Sequence, residues 1–527
     1  MGVFHKLKIL LQGKIQKQNK IFEYEEFQRK TVSKNVGDNK EYIKMILQDS
    51  KDIIFRDFLM GSSRQHLLMV YVEGMVNLTI LNEEVLKSLM IDMGSERFKE
   101  IFSFNEIKSR LVTASEVKEA ETFDQLVLQL LSGDTLLFVD GAWKALIIGS
   151  KGWEKRSINE PSTERNVKGP KDCFVETLRT NIVLIRRRIR DPNLTIDMYS
   201  IGRRTKSDVA VVYLKGVLME GLAEEIKSRI EAIDIDGLVD TGQLENLIED
   251  HQWTIFPQST STERPDRVVS GILEGRATIL MDGTPFALLV PSTFSMFLGA
   301  PDDYYERPII SSVVRITRYI SYFLSASLPG IYIALTNFHP GMLPPALALS
   351  ITATRVPLPF TTFVEIFVME AILEVLQEAG VRLPAAIGAT VGIVGGIVIG
   401  QAVVEAGLIS PVVVIIVALT AITSFTMPSY AVNLTSRVMR VPFMLAGSTL
   451  GFFGIVTLAI FILTHMASLE SFGVGYFEDF SPFRLNDLKD TLVRVPMRLM
   501  RKRAELLKPQ DTHKQADPKS KGGKKNG

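Results

Sequence analysis

Residues 383–410 read LPAAIGATVGIVGGIVIGQAVVEAGLIS, with no charge before Glu405. Gly388, Gly392, Gly396 and Gly400 recur every four residues. On a helix that spacing aligns four glycines in one stripe, which another helix can approach to backbone distance. At about 1.5 Å rise per residue the stretch is long enough to cross a bilayer. Gln401 and Glu405 lie four apart at its end, beside the stripe. A carboxylate facing lipid costs at least ~2–3 kcal/mol, so Glu405 is expected to face protein or water. The stretch implies a close-packed helical membrane bundle with a polar lining.

Three other segments read as full spans: 312–337, with Arg315 and Arg318 at its start and Pro329 inside, 411–431, and 442–466. The glycine helix, 384–406, makes four. Residues 407–410 leave almost no loop, so 384–406 and 411–431 are expected to form a tight antiparallel pair. Residues 341–356 contain Pro344 and Pro345 and are short for a span. Residues 361–380 read TTFVEIFVMEAILEVLQEAG. Glu370, Glu374 and Glu378 share one helical face and Glu365 lies near it, opposite Phe363, Ile366, Phe367, Ala371 and Val375. That pattern suits an interfacial amphipathic helix or a span facing a wet interior. Four spans return the basic tail to the cytoplasm but put Arg437 and Arg440 outside; a fifth crossing reverses the conflict.

The 527 residues carry 60 Lys and Arg against 59 Asp and Glu, so bulk charge selects no partner. The ends differ: residues 1–40 hold nine basic against four acidic residues, and 484–527 hold thirteen against five. Such ends stay solvated or lie on an anionic membrane surface. Cys173 is the only cysteine, which excludes an intrachain disulfide and a CxxC metal site. No signal-peptide core occupies the first thirty residues, so the N-terminal half is expected on the cytoplasmic side. The final run, KPQDTHKQADPKSKGGKKNG, is expected to be disordered.

Residues 41–300 read as soluble α/β protein with an internal duplication. HLLMVYVEG at 66–74 matches DVAVVYLKG at 208–216, and GDTLLFVDGAWKALIIG at 133–149 matches GRATILMDGTPFALLVP at 275–291. Val70, Tyr71, Gly74, Gly133, Asp140 and Gly141 each recur 142 positions later, as Val212, Tyr213, Gly216, Gly275, Asp282 and Gly283. Each Asp-Gly pair between apolar runs is a hairpin signal. One offset shared by two motifs argues for two related units; chance likeness of short β runs is the competing explanation. The region between them is basic, with Arg179, Arg186, Arg187, Arg188 and Arg190, then Arg203, Arg204 and Lys206. Without interleaved aromatics, intramolecular pairing or a headgroup-facing surface is expected rather than nucleic acid. The fold class is therefore a duplicated α/β cytoplasmic domain followed by an all-α polytopic membrane domain. Its expected parts are a basic segment at 1–40, subdomains at 41–160 and 161–300, a transmembrane domain at 301–470 with about 4–6 helical segments, and the tail at 484–527.

No Walker loop, GxSxG, HExxH or EF-hand loop is present. His5, His66, His251, His339, His465 and His513 are scattered, none at metal-ligand spacing. No catalytic, cofactor-binding or metal-binding residues are assigned, and the chain is not expected to be an enzyme. Its function is sought in binding, gating or passage.

The run ERNVKGPKDCFVETLRTNIVLIRRRI at 164–189, followed by IGRRTKSDVAVVYLKGV at 201–217, resembles the spore germinant-receptor A-subunit family of endospore-forming bacteria. So do PSTFSMFLGAPDDYYERP at 291–308, the long run over 342–384, IGQAVVEAGLISPVVVIIVALTAITSF at 399–425 and PSYAVNLTSRVMR at 428–440. The resemblance covers about 160–495 and leaves 1–60 and the Lys-rich tail individual. It implies a two-part cytoplasmic domain and a polytopic half in the inner membrane of the dormant spore, with the N-terminal domain on the core side. It also implies a transporter-like B subunit that binds the nutrient, a lipoprotein C subunit, and a homo-oligomeric ring that conducts cations. On that expectation Gln401 and Glu405 face the ion path, Glu365, Glu370, Glu374 and Glu378 form an acidic vestibule, and Gly388, Gly392, Gly396 and Gly400 pack helices. The alternative is a non-conducting scaffold or accessory sporulation homologue that stabilises receptors.

Overall fold

The apolar runs of the N-terminal half form two five-stranded antiparallel sheets. In the computed structural model the described residues are 30–48, 50–60, 64–92, 102–111, 116–152, 161, 163–164, 166–382, 400–482 and 484–515. The first sheet contains β1 (Ile53–Met60), β2 (Gln65–Val72), β3 (Val117–Ala120), β4 (Thr135–Val139) and β5 (Ala145–Ile148), in the order β1-β2-β4-β5-β3. The second contains β6 (Leu194–Ile201), β7 (Ser207–Leu214), β8 (Thr260–Thr262), β9 (Ala277–Met281) and β10 (Ala287–Val290), in the order β6-β7-β9-β10-β8. Every residue of β4, β5, β9 and β10 is buried, because separate apolar cores cover both faces of each sheet. Strands covered on both sides read as continuous apolar runs rather than alternating ones.

The two units share long-range register. Val70 faces Leu136 and Val212 faces Thr278, both pairs displaced by 142. The shared Asp-Gly pairs do more than turn the chain. Gly141 N donates to Lys34 O at 2.8 Å, and Asp140 Oδ1 accepts from Val36 N at the start of α1 (Val36–Ile46). Gly283 N donates to Glu176 O at 2.8 Å, and Asp282 Oδ1 accepts from Leu178 N at the start of α2 (Leu178–Arg186). Asn39 and Asn181 each clamp the segment before their helix through one accepted and one donated bond. Chance likeness of strands does not account for this matched set. The likeness reaches back to Ser33 and Val175, so the first repeat starts on the 1–40 side of the expected boundary, α1 straddles that boundary and α2 lies in the arginine-rich run. Only the edge strand slips: Ile53 faces Val72, but Leu194 faces Leu214.

Arginines of that run pair within the molecule. Arg179 pairs with Glu73, Arg188 with Asp172 and Arg203 with Asp234. Arg186, 1% exposed, donates from Nε and Nη2 to both oxygens of Asp52 at 2.7 and 2.9 Å, and from Nη2 to Ser50 Oγ at 2.8 Å. Ser50 Oγ also accepts from Ile196 N of β6. This fork joins the units.

The C-terminal half is helical: α3 (Pro308–Asn337), α4 (Pro345–Arg355), α5 (Thr362–Arg382), α6 (Gly400–Glu405), α7 (Pro411–Ser424) and α8 (Tyr430–Ser468). Among the described residues, α3 and α8 are long and apolar enough to cross a membrane, and α7 is a shorter apolar helix. α8 is not one rod. Gly451 has φ 62° and ψ −142°, and a Cβ at Gly454 would overlap Ala446 O. In a straight helix those positions lie about 12 Å apart along the axis, so the chain doubles back. Both arms return to one loop of the second α/β unit: Thr435 Oγ1 donates to Ile255 O at 2.8 Å, and His465 Nε2 lies 3.1 Å from Thr254 Oγ1. Phe338, at the end of α3, abuts Gly451 at the far tip.

Several expected boundaries change. Residues 383–399, with Gly388, Gly392 and Gly396, lie outside the described residues. The span read at 411–431 stops at Ser424, because Pro428 cannot continue the helix. The span read at 442–466 starts at Tyr430 and is two arms. Residues 508–515 were expected to be disordered and are instead docked on the second unit. Asp511 N donates to Gly216 O, and Lys514 pairs with Glu274 at 2.9 Å.

Candidate functional site

The two faces of α5 are not divided cleanly between inside and outside: Ile366 of the apolar face is fully buried, and Glu374 and Glu378 of the acidic face are more than half exposed. Phe367, Val368 and Val375 are exposed, whereas Glu365 and Glu370 are buried. Glu370 and Glu374 of α5 reach across to α8, antiparallel to that helix's first arm. Glu370 Oε2 accepts from Arg440 Nη1 at 2.9 Å. One turn along, Glu374 pairs with Arg437, Nε donating to Oε2 at 3.0 Å. Glu378 pairs with Arg382 on its own helix and is half-exposed. The four-residue spacing of Glu370 and Glu374 matches the three-residue spacing of Arg437 and Arg440 on an antiparallel neighbour.

Arg440 also reads α3. Its Nε donates to Ser325 O at 2.9 Å. Pro329, four residues on, has no N–H, so Ser325 O lacks its helical donor and is free to accept. The next residue, Gly330, supplies the space. A Cβ there would overlap Phe443 O, and one at Gly447 would overlap Gly330 O. The pair is incompletely satisfied: among the described residues, Glu370 Oε1 and Arg440 Nη2 have no hydrogen-bond partner.

Glu365, fully buried at the far end, accepts from Ser410 N at 3.0 Å, where α7 begins. Its Oε1 has no hydrogen-bond partner and lies 3.9 Å from Arg355 Nε, which has none either. Gln401 and Glu405 lie elsewhere, on the exposed surface of α6, where Gln401 Nε2 donates to Glu405 Oε1 at 2.7 Å. Gly400 is buried and touches Val414 at ordinary van der Waals distance.

The structure therefore gathers Glu370 and Glu374 into one ladder and Glu365 at its far end, and leaves Gln401 and Glu405 apart. The arginines of this ladder, Pro329 and the glycine pair Gly330–Gly447 were not singled out from sequence as site residues. A proline followed by glycine inside an apolar span, with arginines one turn apart in another, was the available signal.

The family model described as Bacillus/Clostridium GerA spore germination protein matches residues 41–506. Spore germination protein B1 of Bacillus subtilis (strain 168) is 40% identical over 491 residues, covering 92% of this chain and 99% of that protein. Spore germination protein KA of the same organism is 39% identical over 486 residues, covering 92% and 88%. The crystal structure of the N-terminal domain of the A subunit of the Bacillus megaterium spore germinant receptor GerK3 is similar at 34% identity and a TM-score of 0.41, covering 50% of this chain and 98% of that one.

Proposed function

We propose a function from one premise: this chain belongs to the Bacillus/Clostridium GerA spore germination protein family. It acts as the A subunit of a nutrient germinant receptor, and its helical half is polytopic in the spore inner membrane. The run of the helices supports six passes. α3 leaves the α/β units, α5 returns, the span read from the sequence at 384–406 supplies the next crossing, α7 returns, and the arms of α8 leave and return. An even number puts the α/β units and the docked tail on one side, the cytoplasmic core. Arg437 and Arg440 then lie inside the bundle, paired with acids, and stand outside the loop count of the positive-inside rule.

In this reading copies of the chain assemble into a ring beside a transporter-like B subunit, which binds the nutrient, and a lipoprotein C subunit. Nutrient binding opens a cation path past Glu365, Gln401 and Glu405, with the glycine stripe at the contact between subunits. The half-satisfied Glu370–Arg440 pair carries the proposal. A buried charge pair with unmet hydrogen bonds, in helices that expose apolar faces, suits an arrangement that can be remade in a second state.

Conductance of the purified chain in a planar bilayer tests it, with cation release from spores after nutrient addition as the cellular readout. Glu405→Gln and Glu370→Gln are expected to change conductance or spontaneous opening. A chain that reconstitutes as an oligomer and passes no current would support the scaffold reading instead.

A further inference from the structure

The loop at 251–257 carries a side chain that nothing in the protein explains. Trp253 is 100% exposed, the next apolar residue, Ile255, is 46% exposed, and Phe256 is buried in the core beneath. Fully exposing an indole forgoes the burial that usually holds it in place, and Trp is enriched where an apolar body meets lipid and its N–H meets water. The loop is not adrift, because Ile255 O and Thr254 Oγ1 hold both arms of α8.

Depth along those arms locates the indole. Thr435 lies sixteen residues before the Gly451 tip and His465 fourteen after it, which is about 24 and 21 Å of helix. A hydrocarbon core is about 30 Å thick. These lengths fall about 6–9 Å short of that thickness, so the loop meets the arms at the near boundary when the tip stops that far inside the far one. The surrounding surface agrees: Val438 and Phe461 on the apolar side are 55% and 70% exposed, and Tyr430, one turn nearer the α/β unit, is 57% exposed. Each arm thus carries an exposed apolar side chain within four residues of where it meets the loop, Val438 beside Thr435 and Phe461 beside His465.

We propose that Trp253 inserts into the headgroup layer of the bilayer, making this loop a lipid contact that seats the second α/β unit on the membrane beside the α8 hairpin. The proposal rests on the reading that α8 crosses a bilayer.

The test uses the full chain in phosphatidylcholine vesicles. Replacing the other two tryptophans (Trp143→Phe, Trp153→Phe) leaves Trp253 as sole reporter. The expected result is blue-shifted emission, strong quenching by lipids brominated near the headgroup and weak quenching by aqueous iodide. A second reporter, with Trp253→Phe and Phe461→Trp in that background, checks the premise at a residue 70% exposed on α8. Bromolipid quenching at position 461 with iodide quenching at 253 overturns the loop proposal alone and leaves this face to a protein partner. Absence of bromolipid quenching at both positions overturns the membrane reading and the loop proposal together.

Discussion

Two buried arginines tie parts of this molecule together, and they do so differently. Arg186 grips Asp52 with both oxygens engaged and adds Ser50, whose hydroxyl also holds β6. Arg440 reaches Glu370 through a single bond and leaves one carboxylate oxygen without a partner among the described residues, while each arginine likewise leaves one nitrogen, Nη1 of Arg186 and Nη2 of Arg440. Its further acceptor, Ser325 O, exists only because Pro329 cannot donate. The first is a fixed joint, set by bidentate geometry. The second depends on how closely two helices approach and is the more readily rearranged.

The largest effect that would break this comparison comes from removing either arginine. Arg186→Leu and Arg440→Leu each strand a buried carboxylate, and each is expected to cost ~3–5 kcal/mol. Denaturant titration of the full chain in detergent measures both losses. Replacing both partners at the joint, Asp52→Leu with Arg186→Met, should recover most of the loss, since an apolar pair of similar volume is close to neutral.

Next in size is the helix crossing that sets Arg440. Gly330→Leu or Gly447→Leu forces a side chain into a backbone carbonyl, and overpacking of this kind costs ~1–3 kcal/mol. Thermal unfolding should show the loss, and because Arg440 Nε would be drawn off Ser325 O, Glu370→Gln should matter less in that background. Additive losses would separate the crossing from the ion pair.

Smaller still, Glu374→Gln should cost below ~1 kcal/mol, because Glu374 is 54% exposed and water screens its pair with Arg437. A loss as large as that at Arg440 would mean the ladder acts as one unit.

A lever of another kind, pH, lies in the soluble half. Burial and the neighbouring Glu245 carboxylate push the Glu249 pKa from 4.5 to about 7. The folded state then holds a proton the unfolded chain has released, so stability falls as pH rises through the window between 4.5 and about 7. Glu249→Gln should flatten that slope in thermal melts run from about pH 5 to about pH 8.

Much of the α/β half was legible because its signals are local. Continuous apolar runs, Asp-Gly turns and one repeated offset suffice to place β2, β4, β5, β7, β9 and β10, but not β1, β3, β6 and β8, which lie outside those runs. The start of each repeat was not legible, since Asn39 and Asn181 act through loops lacking apolar pattern. In the helical half, the three glutamates on one face of α5 were visible, but the burial of Glu370 alone among them was not, because amphipathicity alone does not say which face meets lipid. The turn in α8 was also hidden: GSTLGFFG at 447–454 reads as one hydrophobic run, and only the left-handed backbone at Gly451 divides it.

Taken by itself, the sequence determined which segments are apolar, which positions are charged and where the α/β unit repeats, since these follow from composition and spacing along the chain. Tertiary structure alone decided that Arg440 meets Glu370 and a carbonyl freed by Pro329, that Gly330 and Gly447 form the close crossing, and that the tail docks on the second unit. Those contacts join residues far apart in sequence, and their energies depend on distance and burial that a linear pattern does not contain.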